Sequence, residues 1–194
     1  GSEGFLKLLR RFLERKGDSR QSAGAKAYSG PKVPRHSGGW AAVRKRLQME
    51  PGLRVIDTGG TSPQNINYLA GLGHSIFLAD LVTESCTGNW QTGVDENDKP
   101  ILNVEGFLDQ TLNFAGRNFD IVLLCTTLDY LPEPFVAPVV ERLYQAVNPG
   151  GQVLALFHTK AKGEDTAHCR FHITERDDVE IQAAQPFPIQ RAFN

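Results

Sequence analysis

The sequence predicts an α/β chain built on a doubly wound, mostly parallel sheet, and three observations carry that expectation. The runs "LRVID", "SIFLADL", "FDIVLLC" and "QVLALFH" are apolar with little alternation, as strands covered on both faces are. Between them lie stretches whose apolar residues recur at helical spacing. The first run also passes directly into "TGGTSPQN", a glycine turn followed by a helix start, the way a sheet of this class opens a ligand crevice.

Each element has a local reason. Ser37 is placed to cap a helix in which Trp40, Val43 and Leu47 share one face, ending before Pro51-Gly52. A strand follows over 53–57, then a helix over 63–72 with Ser62 as N-cap, Pro63 in the first helical position and Gly73 closing it. The run over 75–81 is a second strand carrying an acid, Asp80. Residues 83–100 are polar and show no assignable period, and Trp90 among them reads either as part of a lid or as a loop aromatic packed on the surface. A fully apolar strand over 119–125, a helix over 135–147, the turn "NPGG" and a strand over 152–158 complete the alternation. The 36 residues after His158 hold one alternating hairpin, 169–174 with 179–184, and then "AQPFPIQRAFN".

A length of 194 residues and 40% apolar content fit one domain with a substantial core. No apolar run approaches the roughly 20 residues a bilayer needs, and no secretory signal opens the chain, so the expected setting is cytoplasmic. Cys86, Cys125 and Cys169 are too few and too scattered for a disulfide framework. Gly1-Ser2 reads as an expression remnant.

The net charge of −1 conceals an asymmetry, with 12 Lys/Arg against 4 Asp/Glu in residues 1–50 and 9 against 18 thereafter. This divides the chain into a basic arm, 1–36, and an acidic body, 37–194. In the arm, Phe5, Leu6, Leu8, Leu9, Phe12 and Leu13 form the apolar stripe of a short helix flanked by Lys and Arg. Such a helix packs on the body or on a partner subunit, or lies on an anionic membrane or a nucleic acid. Residues 17–39 read as a linker or an ordered arm.

The loop after the first strand decides the cofactor class. A dinucleotide fingerprint beginning at Gly59 requires glycine at positions 61 and 64, where this chain has Thr61 and Gln64, and a nicotinamide oxidoreductase is disfavoured accordingly.

Taken in order, "VIDTGG", "IFLADL", "FDIVLLCTTLDYLPEP" and "NPGGQVLALFH" resemble the class I S-adenosylmethionine-dependent methyltransferases, a likeness that covers residues 37–158 and implies their Rossmann-like fold. The resemblance implies that Asp57 and the backbone of Thr58, Gly59 and Gly60 line the methionine end of S-adenosylmethionine, with Thr61 offering a hydroxyl to its carboxylate. By the same likeness Asp80 accepts the ribose hydroxyls, Asp109 and Gln110 lie by the adenine, and Cys125 and Thr126 pass beneath the methionine part. The family's first motif has glycine at the positions of Gly59, Thr61 and Pro63, and this chain keeps only the first. The family sheet also ends in an antiparallel pair, and the final hairpin here either serves as that pair or is an insertion, the sequence then lacking the final strands and leaving an edge open to a homo-oligomer.

Asp129, Tyr130 and His158 stand at strand carboxyl ends and are the candidate catalytic residues: Asp129 to orient or deprotonate an amine, Tyr130 to stack on a planar acceptor, His158 as a general base. Each also has a structural role open to it, as turn cap, packing aromatic and satisfied strand-end histidine. His158, His168, Cys169 and His172 match no zinc spacing, so no metal is expected. The expected activity is methyl transfer to a small-molecule acceptor. The alternative is a non-catalytic module of the same fold acting through its basic arm.

Overall fold

The computed structural model describes residues 30–60, 62–157, 167–186 and 190. The leader helix expected over 5–16, along with Thr61 and His158, lies outside the described residues.

The centre is a four-stranded sheet of β2 (Arg54–Asp57), β3 (Ser75–Leu78), β6 (Phe119–Cys125) and β7 (Val147–Leu156), ordered β3-β2-β6-β7 with every pairing parallel. All four apolar runs are therefore neighbours in one sheet, a mixed α/β arrangement consistent with a Rossmann-like fold. Alternate residues of each strand serve two separate layers. On one face Val55, Ile121, Leu123 and Leu154 pack with Trp40, Val43 and Leu47 of α1 (Gly38–Met49) and Leu69 of α2 (Pro63–Gly71). On the other, Ile56, Val122 and Leu124 pack with α4 (Val104–Thr111) and α6 (Glu133–Ala146), where Phe107 and Phe135 stack at 4.2 Å.

The helix ends follow the local chemistry. Ser37 accepts from the Trp40 N–H at 3.1 Å to cap α1, and Gly39 allows that helix to press on β7, since a Cβ there would stand 2.8 Å from Leu154 Cδ1. Gly73 closes α2 with φ +82°. The unassigned polar stretch resolves into α3 (Leu81–Thr87) and a small antiparallel pair, β4 (Gln91–Val94) with β5 (Pro100–Leu102). Trp90 is neither lid nor surface aromatic. Its indole N–H donates to Glu84 O at 2.8 Å and its ring meets Phe107 edge-on at 5.2 Å, inside the core.

The last hairpin does not extend the parallel sheet. β8 (Ala167–Ile173) and β9 (Asp178–Pro186) form a separate antiparallel sheet with β1 (Lys32–His36), in the order β1-β9-β8. The end of the basic arm is thus a strand paired to the chain's last hairpin. Trp40 rivets this sheet to the body, its Nε1 donating to the carbonyls of Thr174 and Arg176 at 3.2 and 3.0 Å.

Candidate functional site

In a sheet of this order the strand sequence reverses between β2 and β6, and the crevice for a ligand opens there at the carboxyl ends. Asp57, the last residue of β2, is buried at 6% exposure. One carboxylate oxygen accepts from the Gly59 N–H at 3.0 Å and the other from Asn65 Nδ2 at 3.1 Å. Burial pushes this carboxyl above the usual range; the Gly59 and Asn65 hydrogen bonds pull it back, Asp80 pushes it further and Arg170 opposes.

Thr58 is fully buried, its hydroxyl donating to Leu123 O at 2.8 Å and meeting the Thr127 hydroxyl at 2.8 Å, which locks the β2 loop to the end of β6. Asp80 lies alongside, because Ala79 N donates to Asp57 O at 2.9 Å and Leu81 N to Thr58 O at 3.3 Å. It has a second task, since its Oδ1 accepts from the Thr83 N–H at 3.2 Å and so caps α3.

Cys125 closes β6 within the electrostatic reach of Asp57, and burial first, then that carboxylate, pushes its thiol well up, which disfavours the thiolate. Thr126 follows in the left-handed region at φ +55°, a conformation that costs a β-branched residue energy and that clusters at functional sites. Its hydroxyl is buried and has no hydrogen-bond partner among the described residues.

Asp57, Thr58, Gly59, Gly60, Asp80, Cys125 and Thr126 therefore lie together at the carboxyl ends of β2, β3 and β6. Asp109 and Gln110 do not. They occupy the exposed face of α4, whose buried face is Phe107, Leu108 and Thr111, and Asp109 pairs with Arg142 of α6 at 3.6 Å toward the amino end of β6. The sequence placed them before the fourth strand without seeing that a helix turns them outward and a loop, 112–118, separates them from it.

Asp129 and Tyr130 lie on α5 (Thr127–Tyr130), directly beyond the crevice, but both are enclosed, at 0% and 2% exposure. The Tyr130 ring packs edge-on against His168 at 4.8 Å, and burial, then Cys169 and Asp129, holds its hydroxyl above the ordinary tyrosine range. Packing of this kind leaves no open face for stacking on an acceptor. The Asp129 carbonyl accepts from the Gln190 N–H at 2.7 Å.

Sequence reasoning missed the partners of the α2 N-terminus. Ser62 Oγ, the helix cap, lies 2.6 Å from His172 Nδ1, and His172 Nε2 lies 2.9 Å from Gln182 Oε1. Gln182 Nε2 donates to Gly30 O at 2.7 Å, so its oxygen faces the imidazole, the proton sits on Nε2, and the Ser62 hydroxyl donates to Nδ1. Gln64 Nε2 donates to Ile173 O at 2.9 Å, and Asn65 bonds β8 at two points. The signal for this was the alternation of the last hairpin together with three polar residues in the first turn of α2. It pointed to pairing without identifying the partners.

No protein-family model matches the chain, and no curated protein matches it. Among solved structures the chain is similar to one described as a "DhpI-SAM-HEP complex", at 15% identity and a TM-score of 0.34, over 97% of this chain and 83% of that one.

Proposed function

We propose that the chain binds S-adenosylmethionine at the carboxyl ends of β2, β3 and β6 and transfers its methyl group to a small-molecule acceptor. The observation that carries this reading is the pair of acids, Asp57 and Asp80, at the carboxyl ends of β2 and β3 beside the switch point of a parallel sheet. A buried acid with a second acid beside it favours a ligand that brings donors and positive charge, as the ammonium and sulfonium groups of this cofactor do. Asp80 retains lone pairs for the ribose hydroxyls while capping α3. The backbone of Gly59 and Gly60 borders the methionine end, and the Thr126 hydroxyl, without a partner among the described residues, suits a ligand polar group.

The bound cofactor supplies an electrophilic methyl group. The contribution of the chain is positioning, which can account for much of the rate of a direct displacement, and a general base is required only for a protonated acceptor. Calorimetry with S-adenosylmethionine, its demethylated product and NAD tests the reading on the wild type and on Asp80→Asn. Asparagine caps a helix about as well as aspartate, so this variant should keep its fold and bind S-adenosylmethionine roughly tenfold more weakly. Equal affinity for the two proteins would remove Asp80 from the site.

One observation favours a second reading, a non-catalytic module. Ser62, Gln64 and Asn65 in the first turn of α2 are all committed to β8, on the loop where a methionine carboxylate would be received. A wild type that fails to bind S-adenosylmethionine at millimolar concentration would leave this reading in place, with the basic arm as the segment to delete next.

A further inference from the structure

Asn65 uses both of its amide donors and its amide oxygen. Its Oδ1 accepts from the Ile173 N–H at 2.7 Å, which fixes the amide the other way round on Nδ2, and the two Nδ2 hydrogens go to Phe171 O at 3.0 Å and to the Asp57 carboxylate at 3.1 Å. β8 is an edge strand of its sheet, and Phe171 O with Ile173 N are edge groups that would otherwise lack a partner. The amide of Asn65 satisfies them as a neighbouring strand would, with one hydrogen left for the crevice. The side chain is buried at 4% exposure, so water does not substitute for any of these bonds.

We propose that Asn65 is a positioning residue, which holds the Asp57 carboxylate in the crevice by bracing it against the edge of β8. The functional consequence rests on the reading that Asp57 borders the methionine end of S-adenosylmethionine, whereas the bracing itself is a property of the unliganded chain. The antiparallel sheet then has a role in the site although it does not pair with the parallel strands: it is the anvil on which the Asp57 carboxylate is set. Gln64 makes the contrasting contact. It also bonds β8, through Ile173 O at 2.9 Å and Glu180 at 3.2 Å, with no bond to Asp57.

The test follows the carboxyl carbon-13 resonance of Asp57, assigned by its loss in Asp57→Asn, through a pH titration of the full chain. The charged groups facing Asp57 are Asp80 from the β3 side and Arg170 from β8, with the Cys125 thiol on β6. In Asn65→Ala the acid loses a donor and should titrate at higher pH than in the wild type. Asn65→Leu, of similar size and without a donor, guards against an effect of the vacated space and should move the titration the same way. Gln64→Ala should leave it where it was. An unmoved titration in folded Asn65 variants, or an equal movement in Gln64→Ala, would overturn the proposal. Calorimetry on the same samples should show S-adenosylmethionine bound roughly tenfold more weakly by Asn65→Ala than by the wild type. A wild type that binds none refutes the cofactor reading alone, because the titration still decides the role of Asn65.

Discussion

Asp57 and Asp120 sit on adjacent strands of one parallel sheet, at opposite ends, and the sheet treats them in opposite ways. Asp120, near the amino end of β6, accepts from the Arg54 N–H at 2.9 Å and from Asn148 Nδ2 at 3.0 Å, tying β6 to both of its neighbours. Burial works to raise its carboxyl, but these bonds and the charges of Arg46 and Arg54 outweigh it and the group is lowered. Asp57, at the carboxyl end of β2, has neutral donors and a second acid nearby, and burial leaves it raised. A carboxylate satisfied by the chain's own cations and backbone holds strands together. One kept short of positive charge is suited to a ligand that supplies it. The amino end of this sheet carries stability, and on the proposed reading the carboxyl end carries the site.

The largest effect that should separate the two ends comes from the amino end. Phe119 is buried at 2% exposure against Phe114 at 5.0 Å and Phe77 at 5.9 Å. Phe119→Ala should cost about 3–5 kcal/mol in urea unfolding, while the folded fraction binds S-adenosylmethionine as the wild type does. A parallel loss of affinity would show that the two ends are not separable.

At the carboxyl end the order reverses. Asp57→Ala should weaken S-adenosylmethionine binding roughly ten- to a hundredfold in calorimetry, with little loss of stability, because an acid raised by burial favours the fold least when ionised. Asp120→Ala should leave the affinity within about twofold and lower the melting temperature. The same affinity loss in both variants would place the ligand away from the switch point.

The pH dependence sharpens the contrast with a smaller signal. Asp120 is lowered in the folded state, so its stabilising contribution is present above the unfolded value near 3.8 and is lost as pH falls through the folded value. The stability gap between wild type and Asp120→Asn should therefore narrow in acid, measured as urea midpoints from pH 6 downward. Asp57 is raised, so its contribution is greatest below its unfolded value and declines as pH climbs through the folded one. A gap for Asp120→Asn that stays constant across this range would mean that its hydrogen bonds, not its charge, hold the strands.

The parts of this molecule that sequence reveals are the parts that depend on one segment at a time. The four sheet strands are continuous apolar runs, and Ser37, Ser62 and Gly73 mark helix ends through bonds three or four residues away. Asp57 and Asp80 are legible because a strand end followed by a turn is a local pattern. What the sequence does not reveal depends on distant partners. β1 is a strand only because β9 lies beside it, and its own residues, Lys32–His36, are all exposed. Trp90 sits in a polar stretch and is buried by α4, and the bracing of Asp57 joins positions 57, 65 and 171 through one side-chain amide, a link that has no period.

Asp109 tests the smallest expected effect and the clearest departure from the sequence reading. By resemblance it would contact adenine, and its removal would then weaken S-adenosylmethionine binding. In the fold its side chain is 68% exposed and pairs with Arg142 at 3.6 Å, an arrangement in which solvent screening leaves little net attraction. Arg142 has another partner, since its Nη1 donates to Leu112 O at 3.4 Å and is not stranded when the acid is removed. Asp109→Ala should therefore shift the melting temperature by no more than about 1–2 °C and leave S-adenosylmethionine affinity unchanged. A clear loss of affinity would return α4 to the ligand site and require the helix to turn its exposed face toward the crevice, at the cost of the buried packing of Phe107 and Leu108.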